Sequence, residues 1–249
     1  SEMCIRDRAR TQGYQLLIVC SEDDPDTEKE LARMLVSRHV DALLVASCLP
    51  PADPFYLEQQ SRGVQILAID RAMATEHFVT VASENQKASL DLTASLLTPA
   101  IGHIALITAL PELTISQERK AGFEQAIASH SATRHLCEGA HFSRTEGYRL
   151  IKTLHQQLGQ LPEALITTSY ILMEGVLDYL LEQEADMSQL AMATFGDDRL
   201  LDFLPFGINS LPQQHDALAS QALTLALKAV NGDYQSGLHY VSRTLKRRR

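Results

Sequence analysis

The sequence has 249 residues, 45% of them hydrophobic and 21% charged, a globular balance that excludes a disordered tail or scaffold as a description of the whole. That length can support two compact lobes, each with its own core. A formal net charge of −9 opposes nucleic-acid contact over most of the surface, because phosphate binding draws on clustered Lys and Arg, and no apolar segment approaches the roughly 20 residues needed to cross a membrane.

Residues 1–12 read as the tail of a helix that feeds directly into an apolar strand candidate, LLIVC, at 16–20. An acidic, proline-containing turn (SEDDPD) and a helical pattern to about Ser37 follow. The next strands are expected at 40–47 (VDALLVAS), 65–70 (QILAID) and 79–82. Apolar runs separated by helices are the pattern of strands buried on both faces of a parallel sheet with crossover helices. TPAIG at 98–102 breaks the preceding amphipathic helix and marks a lobe boundary near Pro99. A second series begins there, with strands at 103–108, 133–138, 164–169 and 190–196 and helices at about 117–129, 143–158 and 171–183. The expected fold class is therefore α/β, with two doubly wound parallel-sheet lobes. A helix that leads straight into LLIVC presupposes an earlier strand, since consecutive parallel strands need a crossover. The first lobe is accordingly expected to be N-terminally truncated.

Cys4, Cys20, Cys48 and Cys137 show no CxxC spacing, and Cys20 and Cys48 sit in apolar runs, which suggests free thiols in a reducing compartment. His77, His103, His130, His135, His141 and His155 are scattered without a metal-binding array, so no metal is expected. There is no GxSxG elbow, glycine-rich phosphate cradle or GxGxxG after a strand. Asp70 with Asp197 could form an acid/base carboxylate pair only at a specific separation, and no enzyme activity or cofactor is expected. The one strongly basic run, Lys246, Arg247, Arg248 and Arg249, reads as a solvated end or strand flank.

In open α/β sheets ligands bind beyond the C-terminal ends of strands, where helix N-termini also supply unpaired N–H groups. Asp70 and Arg71 directly follow QILAI: an Asp accepts sugar hydroxyls and an Arg offers five fixed donors, although an ion pair or turn cap fits the same residues. After HIALIT come Ser116 and Arg119, a hydroxyl donor or helix cap followed by a guanidinium near the next helix start. Thr167, Thr168, Ser169 and Tyr170 place hydroxyls at another strand end, suited to a polyhydroxylated ligand or to capping. Asp197 and Asp198 follow LAMATFG, with Asp202 more simply solvated or structural. Gln213, Gln214 and His215 sit at a further helix start.

Taken in order, GYQLLIVCSEDDPD, CLPPADPFY, ILAIDRAMATEHF, ALPELTISQERKAGF, PEALITTSYILMEGVLD and ATFGDDRLLDFL resemble the effector-binding core of LacI-family bacterial transcription regulators, over about residues 9–245. That resemblance implies two periplasmic-binding-protein-like lobes with chain crossovers, closing on a small-molecule effector: an N-terminal lobe at 1–97, a C-terminal lobe at 98–208, a return to the first lobe at 209–236, and a segment at 237–249 packing on the second. It implies a cytoplasmic homodimer that meets operator DNA only through an N-terminal helix-turn-helix and hinge helix outside this sequence. It implies effector contacts from Asp70, Arg71, Ser116, Arg119, Ser169, Tyr170, Asp197 and Gln213, facing one cleft. Many relatives carry Asn or Asp where this sequence has Ser169-Tyr170, and the branch that shares TTS senses phosphorylated fructose, in particular fructose 1-phosphate. A phosphate suits hydroxyls and helix N-termini together with Arg71 or Arg119; the resemblance does not say which. It also places the absent first strand inside the first sheet, so that its loss exposes backbone groups and an apolar seam. The rival reading is a periplasmic sugar-binding protein of a transporter, which shares the lobes and the contacts; a sugar-phosphate enzyme ranks below both.

Overall fold

The structure, a computed structural model, describes residues 2–50 and 52–248. Its contacts divide the chain into two units, residues 1–83 with 214–242, and residues 84–213 with 243–249. The first unit contains α1 (Glu2–Thr11), α2 (Pro25–Ser37), β1 (Ala42–Val45), α3 (Phe55–Gln60), β2 (Gln65–Ile69) and β3 (Val79–Ser83). The second contains α4 (Asn85–Ala94), β4 (His103–Ala109), α5 (Thr114–Ile127), β5 (Thr133–Gly139), α6 (Arg144–Leu158), β6 (Ala164–Thr167), α7 (Tyr170–Glu182), β7 (Ala191–Phe195) and β8 (Ile208–Leu211). The chain then returns to the first unit with α8 (His215–Val230) and β9 (Gly237–Val241).

In the first unit the described strands run parallel in the order β1-β2-β3-β9. Side chains alternate between two helical layers, as strand geometry demands. Leu43, Ile66 and Ala68 pack with Ala32 and Leu35 of α2 and with Phe55 and Tyr56 of α3. Leu67 and Val79 pack on the other face with Ala226 and Ala229 of α8, and Val81 with Leu218 and Ala222. Burial on both faces explains why these strands read as continuous apolar runs. The helix α2 starts where Asp24 Oδ1 accepts the Thr27 N–H at 2.7 Å, with Pro25 at the first helical position.

Residues 16–20 depart from expectation. The run forms no strand, and its Leu17, Ile18 and Val19 are 53%, 51% and 41% exposed. A strand exists only where a neighbour completes its ladder, and β1, at the sheet's edge, pairs with β2 alone among the described residues.

The second unit's described strands are also parallel, in the order β5-β4-β6-β7-β8. Ala105, Ile107, Leu165 and Met192 face Ile151 and Leu154 of α6 and Leu172 and Val176 of α7. Ile104, Leu106, Ile166 and Ala193 face Ala88 and Leu92 of α4 and Phe123 of α5. That packing assigns α4 to the second unit, so the first division falls after Ser83 and not near Pro99. The stretch 237–241 likewise differs from expectation: it pairs with β3, from Val79↔Gly237 to Ser83↔Val241, and only residues 243–249 join the second unit. The strand β8 carries no strand signal in the sequence because Asn209 and Ser210 interrupt it; both are fully buried, and Asn209 Nδ2 donates to Ser95 Oγ at 3.0 Å.

At the edge of the second sheet, His103 of β4 stacks on His135 of β5, with ring centroids 5.2 Å apart and Nδ1 of the first 3.0 Å from Nε2 of the second. One nitrogen must donate and the other must be an unprotonated acceptor. Burial, and then the charge of His103, hold the His135 pKa below its ordinary value of 6.5. Below that value the unfolded chain binds a proton that the folded chain resists, so stability is complete above it and is lost as pH falls through it. Thermal melts between about pH 7 and about pH 5 should therefore show a falling melting temperature, with a shallower slope for His135→Asn; parallel slopes would remove His135 as the cause.

Candidate functional site

In both units the C-terminal ends of the strands gather the polar chemistry. In the first, Asp70 follows β2 in a left-handed conformation, φ 67°, with its N–H bonded to Val81 O at 2.8 Å. A non-glycine residue there is strained and is held by its surroundings. Arg71 Nη1 donates to Asp23 Oδ1 at 2.5 Å in a half-open ion pair, with the Arg71 side chain 18% exposed and that of Asp23 51%. Beside it, at the end of β1, the buried Glu28 carboxylate accepts from Ser47 Oγ at 2.5 Å, Cys48 N at 2.7 Å and the Tyr56 hydroxyl at 2.8 Å. Burial, and then Glu28, push the Cys48 thiol up to about 12. That sulfur is therefore a neutral packing group and not a nucleophile. Sequence reasoning missed this network, since Glu28 lies in a helix that carries four other charged residues and nothing in the sequence sets it apart from them.

In the second unit Arg119 is 7% exposed, and each of its three guanidinium nitrogens donates a hydrogen bond. Its Nε and Nη2 reach Asn85 Oδ1 at 3.1 and 3.0 Å, Nη1 donates to Thr168 O at 2.8 Å, and its guanidinium lies 4.4 Å from the Phe195 ring centroid. Asn85 also donates to Glu118 at 3.1 Å, whose carboxyl is raised above its usual range chiefly by burial. Ser116 is not the cap of α5: that position is Leu113, and the Ser116 hydroxyl donates to Ala109 O at 2.7 Å. The Thr167 and Thr168 hydroxyls are consumed inside the sheet, on Thr194 and Thr108 at 2.8 and 2.9 Å.

Ser169 differs from its neighbours. It occupies the N-cap position of α7 without making a side-chain cap, and its Oγ is buried with no hydrogen-bond partner. Tyr170 follows, its hydroxyl raised by burial and then by nearby carboxylates, and Gly196, at φ 84°, lies so close that an added Cβ would sit 3.0 Å from the Tyr170 Cβ.

The Asp197 carboxylate is held by the chain itself. Ser210 Oγ and Arg248 Nη2 both donate to Oδ1 at 2.7 Å, and Lys246 Nζ lies 3.5 Å from Oδ2. Lys246 and Arg248 also pair with Asp202, and Lys246 bridges Ser210. Lys246 and Arg248 of the basic run thus form a folded clamp and not a solvated end, Arg247 is exposed, and Arg249 lies outside the described residues. Gln213 ends the main stretch of the second unit, and its Oε1 accepts from Arg243, whose guanidinium stacks on Phe195 at 5.4 Å. Of the residues chosen from sequence, Asp70 and Arg71 lie in the first unit and the other six in the second. Asn85, Phe195 and Arg243 were missed: an Asn at a helix start, a buried Phe and a late Arg carry no motif. Among the described residues no group of three His, Cys, Asp or Glu could hold a metal, and no helix is long and apolar enough to cross a membrane.

Residues 2–185 match the family of periplasmic binding proteins and sugar-binding domains of the LacI family. The chain belongs to the LacI family. It is 46% identical over 242 residues to the fructose operon regulatory protein of Vibrio cholerae, a match that covers 97% of this chain and 74% of that protein. It is 36% identical over 244 residues to the catabolite repressor/activator of Escherichia coli, covering 97% of this chain and 73% of that one. The crystal structure of the Cra transcriptional dual regulator from Pseudomonas putida in complex with fructose 1-phosphate superposes with a TM-score of 0.96 at 46% identity, covering 99% of this chain and 92% of that one. This LacI-family chain is therefore the effector-binding core of a transcriptional regulator, and its role is sensing rather than catalysis.

Proposed function

We propose that this LacI-family core senses fructose 1-phosphate or a close phosphoketose, and that as a cytoplasmic homodimer it passes ligand occupancy to an operator-binding segment. The observation that carries the ligand class is the Ser169 hydroxyl, buried without a partner at the uncapped N-terminus of α7. An unsatisfied buried hydroxyl costs about 1–3 kcal/mol, and a helix N-terminus favours an anion. A phosphate oxygen resolves both. The fructose 1-phosphate bound to the 46% identical Pseudomonas putida relative supports the sugar. Arg119, Tyr170 and Gln213, together with Asp70 and Arg71 from the first unit, are proposed as further effector residues; Ser116 and Asp197 act through the strand-end geometry they hold. Allostery follows only if the ligand distinguishes two states of the core.

Leu200 and Phe203, on the short turn Arg199–Phe203, are 65% and 68% exposed. An apolar pair this open supports a second copy as its cover. The net charge of −9 agrees with DNA contact made elsewhere.

Isothermal titration with fructose 1-phosphate, fructose 6-phosphate, fructose 1,6-bisphosphate and fructose tests the reading. Binding should require a phosphate, and Ser169→Ala should weaken it about tenfold without lowering stability, because the orphan is removed with the contact. Equal affinity for fructose, or an unaffected Ser169→Ala, would refute the assignment; sedimentation of the same samples reads the dimer.

A further inference from the structure

Backbone strain in the first unit gathers around one ion pair. Among the described residues six that are not glycine have φ in the left-handed region, and three of them, Glu22, Asp23 and Asp70, belong to the two turns that carry Asp23 and Arg71. The Asp24 N–H closes the first turn on Ser21 O at 2.9 Å, with Glu22 at φ 52° and Asp23 at φ 60° in its centre. Gly, Asn and Asp dominate turns whose two central residues both have positive φ, so the glutamate is out of place there. Asp24 pins the turn from its other side by capping α2. Asp70, at φ 67°, stands immediately before Arg71 and is fixed by its N–H on Val81 O. Strain of this kind persists where the surroundings enforce it, and it clusters at ligand clamps and switches. Its product here is one carboxylate set on one guanidinium.

The pair is asymmetric. Arg71 is set into the unit, whereas half of the Asp23 side chain is open to water. The other titratable groups that act on the guanidinium are Asp70 and Cys48, with Glu28 beside Cys48. The thiol is neutral, and Glu28 is committed to Ser47, Cys48 and Tyr56. Asp23 is therefore the carboxylate that can leave Arg71 with the least loss, because water takes the place of its partner and ion pairs this open are weak. A neutral sugar hydroxyl offers Arg71 less than the carboxylate it would displace. A phosphate monoester, with a charge of about −1.5 to −2 at neutral pH, offers more.

We infer that Asp23 is a competitor built into the chain: its carboxylate occupies Arg71, and the phosphate of the effector must displace it, which sets the ligand concentration at which the protein responds. The inference rests on the proposal that Arg71 meets the effector and goes beyond it, since Asp23 then opposes binding where its neighbours support it. Removing the charge of Asp23 frees the guanidinium and tightens the complex. The pH dependence changes as well. A phosphate monoester gains its second proton near about pH 6, and the monoanion only equals Asp23 in charge. The intact protein thus loses affinity as pH falls through that value, and loses it more steeply than a chain without the competing carboxylate.

Isothermal titration of fructose 1-phosphate into the unaltered chain and into Asp23→Asn, which keeps the shape and removes the charge, tests the inference. The variant should bind about tenfold more tightly near neutral pH, and its affinity should fall less between about pH 7.5 and about pH 5.5. Asp23→Gly, which suits the left-handed backbone, is the second variant and should behave alike. In an Arg71→Ala background either substitution should lose most of its effect, because the group that Asp23 occupies is gone. A gain that survives undiminished without Arg71 would reduce Asp23 to general repulsion of the ligand and overturn the proposal. Unchanged or weaker binding by both variants would make Asp23 a support for Arg71 and overturn it too. If the unaltered chain takes up no fructose 1-phosphate, the effector reading itself falls; binding there without a gain in either variant removes the competitor alone.

Discussion

Gly175→Ala should unfold most of the second unit's stability, although alanine is the better helix former by about 1 kcal/mol. A Cβ at Gly175 would stand 1.9 Å from Arg144 O and 2.6 Å from Tyr148 N, and one at Gly147 would stand 2.1 Å from Leu172 O. The helices α6 and α7 meet backbone to backbone at these two glycines. The atoms in the way are main-chain atoms that cannot swing aside, so one helix must move and reopen the packing of Ile151, Leu172 and Val176. Overpacking of that kind costs about 3 kcal/mol or more. Gly102→Ala is the control, because its Cβ would meet only the Glu163 carboxylate, at 3.8 Å. Urea melts should separate the two variants clearly; a Gly175→Ala chain as stable as Gly102→Ala would mean that the close crossing is not a constraint.

Arg119→Ala should damage both binding and stability, and the two losses can be measured apart. Truncation deprives Asn85 Oδ1 of two donors and Thr168 O of one, and removes the group stacked on Phe195. The buried acceptors left behind cost about 2–4 kcal/mol of folding stability. If the guanidinium also meets the effector, affinity for fructose 1-phosphate falls about 10- to 100-fold, the range of a charge-assisted bond. Arg119→Lys keeps the charge without the planar fork and should recover little of either. Calorimetric titration well below each variant's melting temperature isolates the binding loss. An unchanged dissociation constant in the folded Arg119→Ala protein would make the residue purely structural.

Much of the strand pattern was legible because the inner strands of both sheets are buried on both faces, so apolar composition alone marks β2, β4, β6 and β7. The signal fails in two directions. LLIVC has strand composition but no ladder, since composition reports burial preference and not the presence of a neighbour. The strands β8 and β9 have ladders without strand composition: Asn209 and Ser210 are tolerated inside β8 because Ser95, Asp197 and the chain near Arg248 satisfy them. The candidate site shows the same division. Strand-end position brings Arg119 and Ser169 forward as candidates, yet does not tell that Ser169 has an idle hydroxyl while those of Thr167 and Thr168 are spent. Position also could not show that Asp197 is claimed by Arg248, because that pairing joins residues far apart in sequence.

The interleaving of the two units has a consequence for synthesis. The second unit is almost one continuous stretch, 84–213, whereas the first needs both 1–83 and 214–242. As the chain emerges from the ribosome, β3 is complete long before β9, its partner in the register Val79↔Gly237, has been made. The second unit can thus reach most of its native contacts first, while β3, buried at every position in the finished protein, waits with an unpaired edge. Closing that long loop late is slow and leaves apolar backbone open to wrong partners. Synthesis itself therefore sets a vulnerable interval that ends when residues 237–241 arrive.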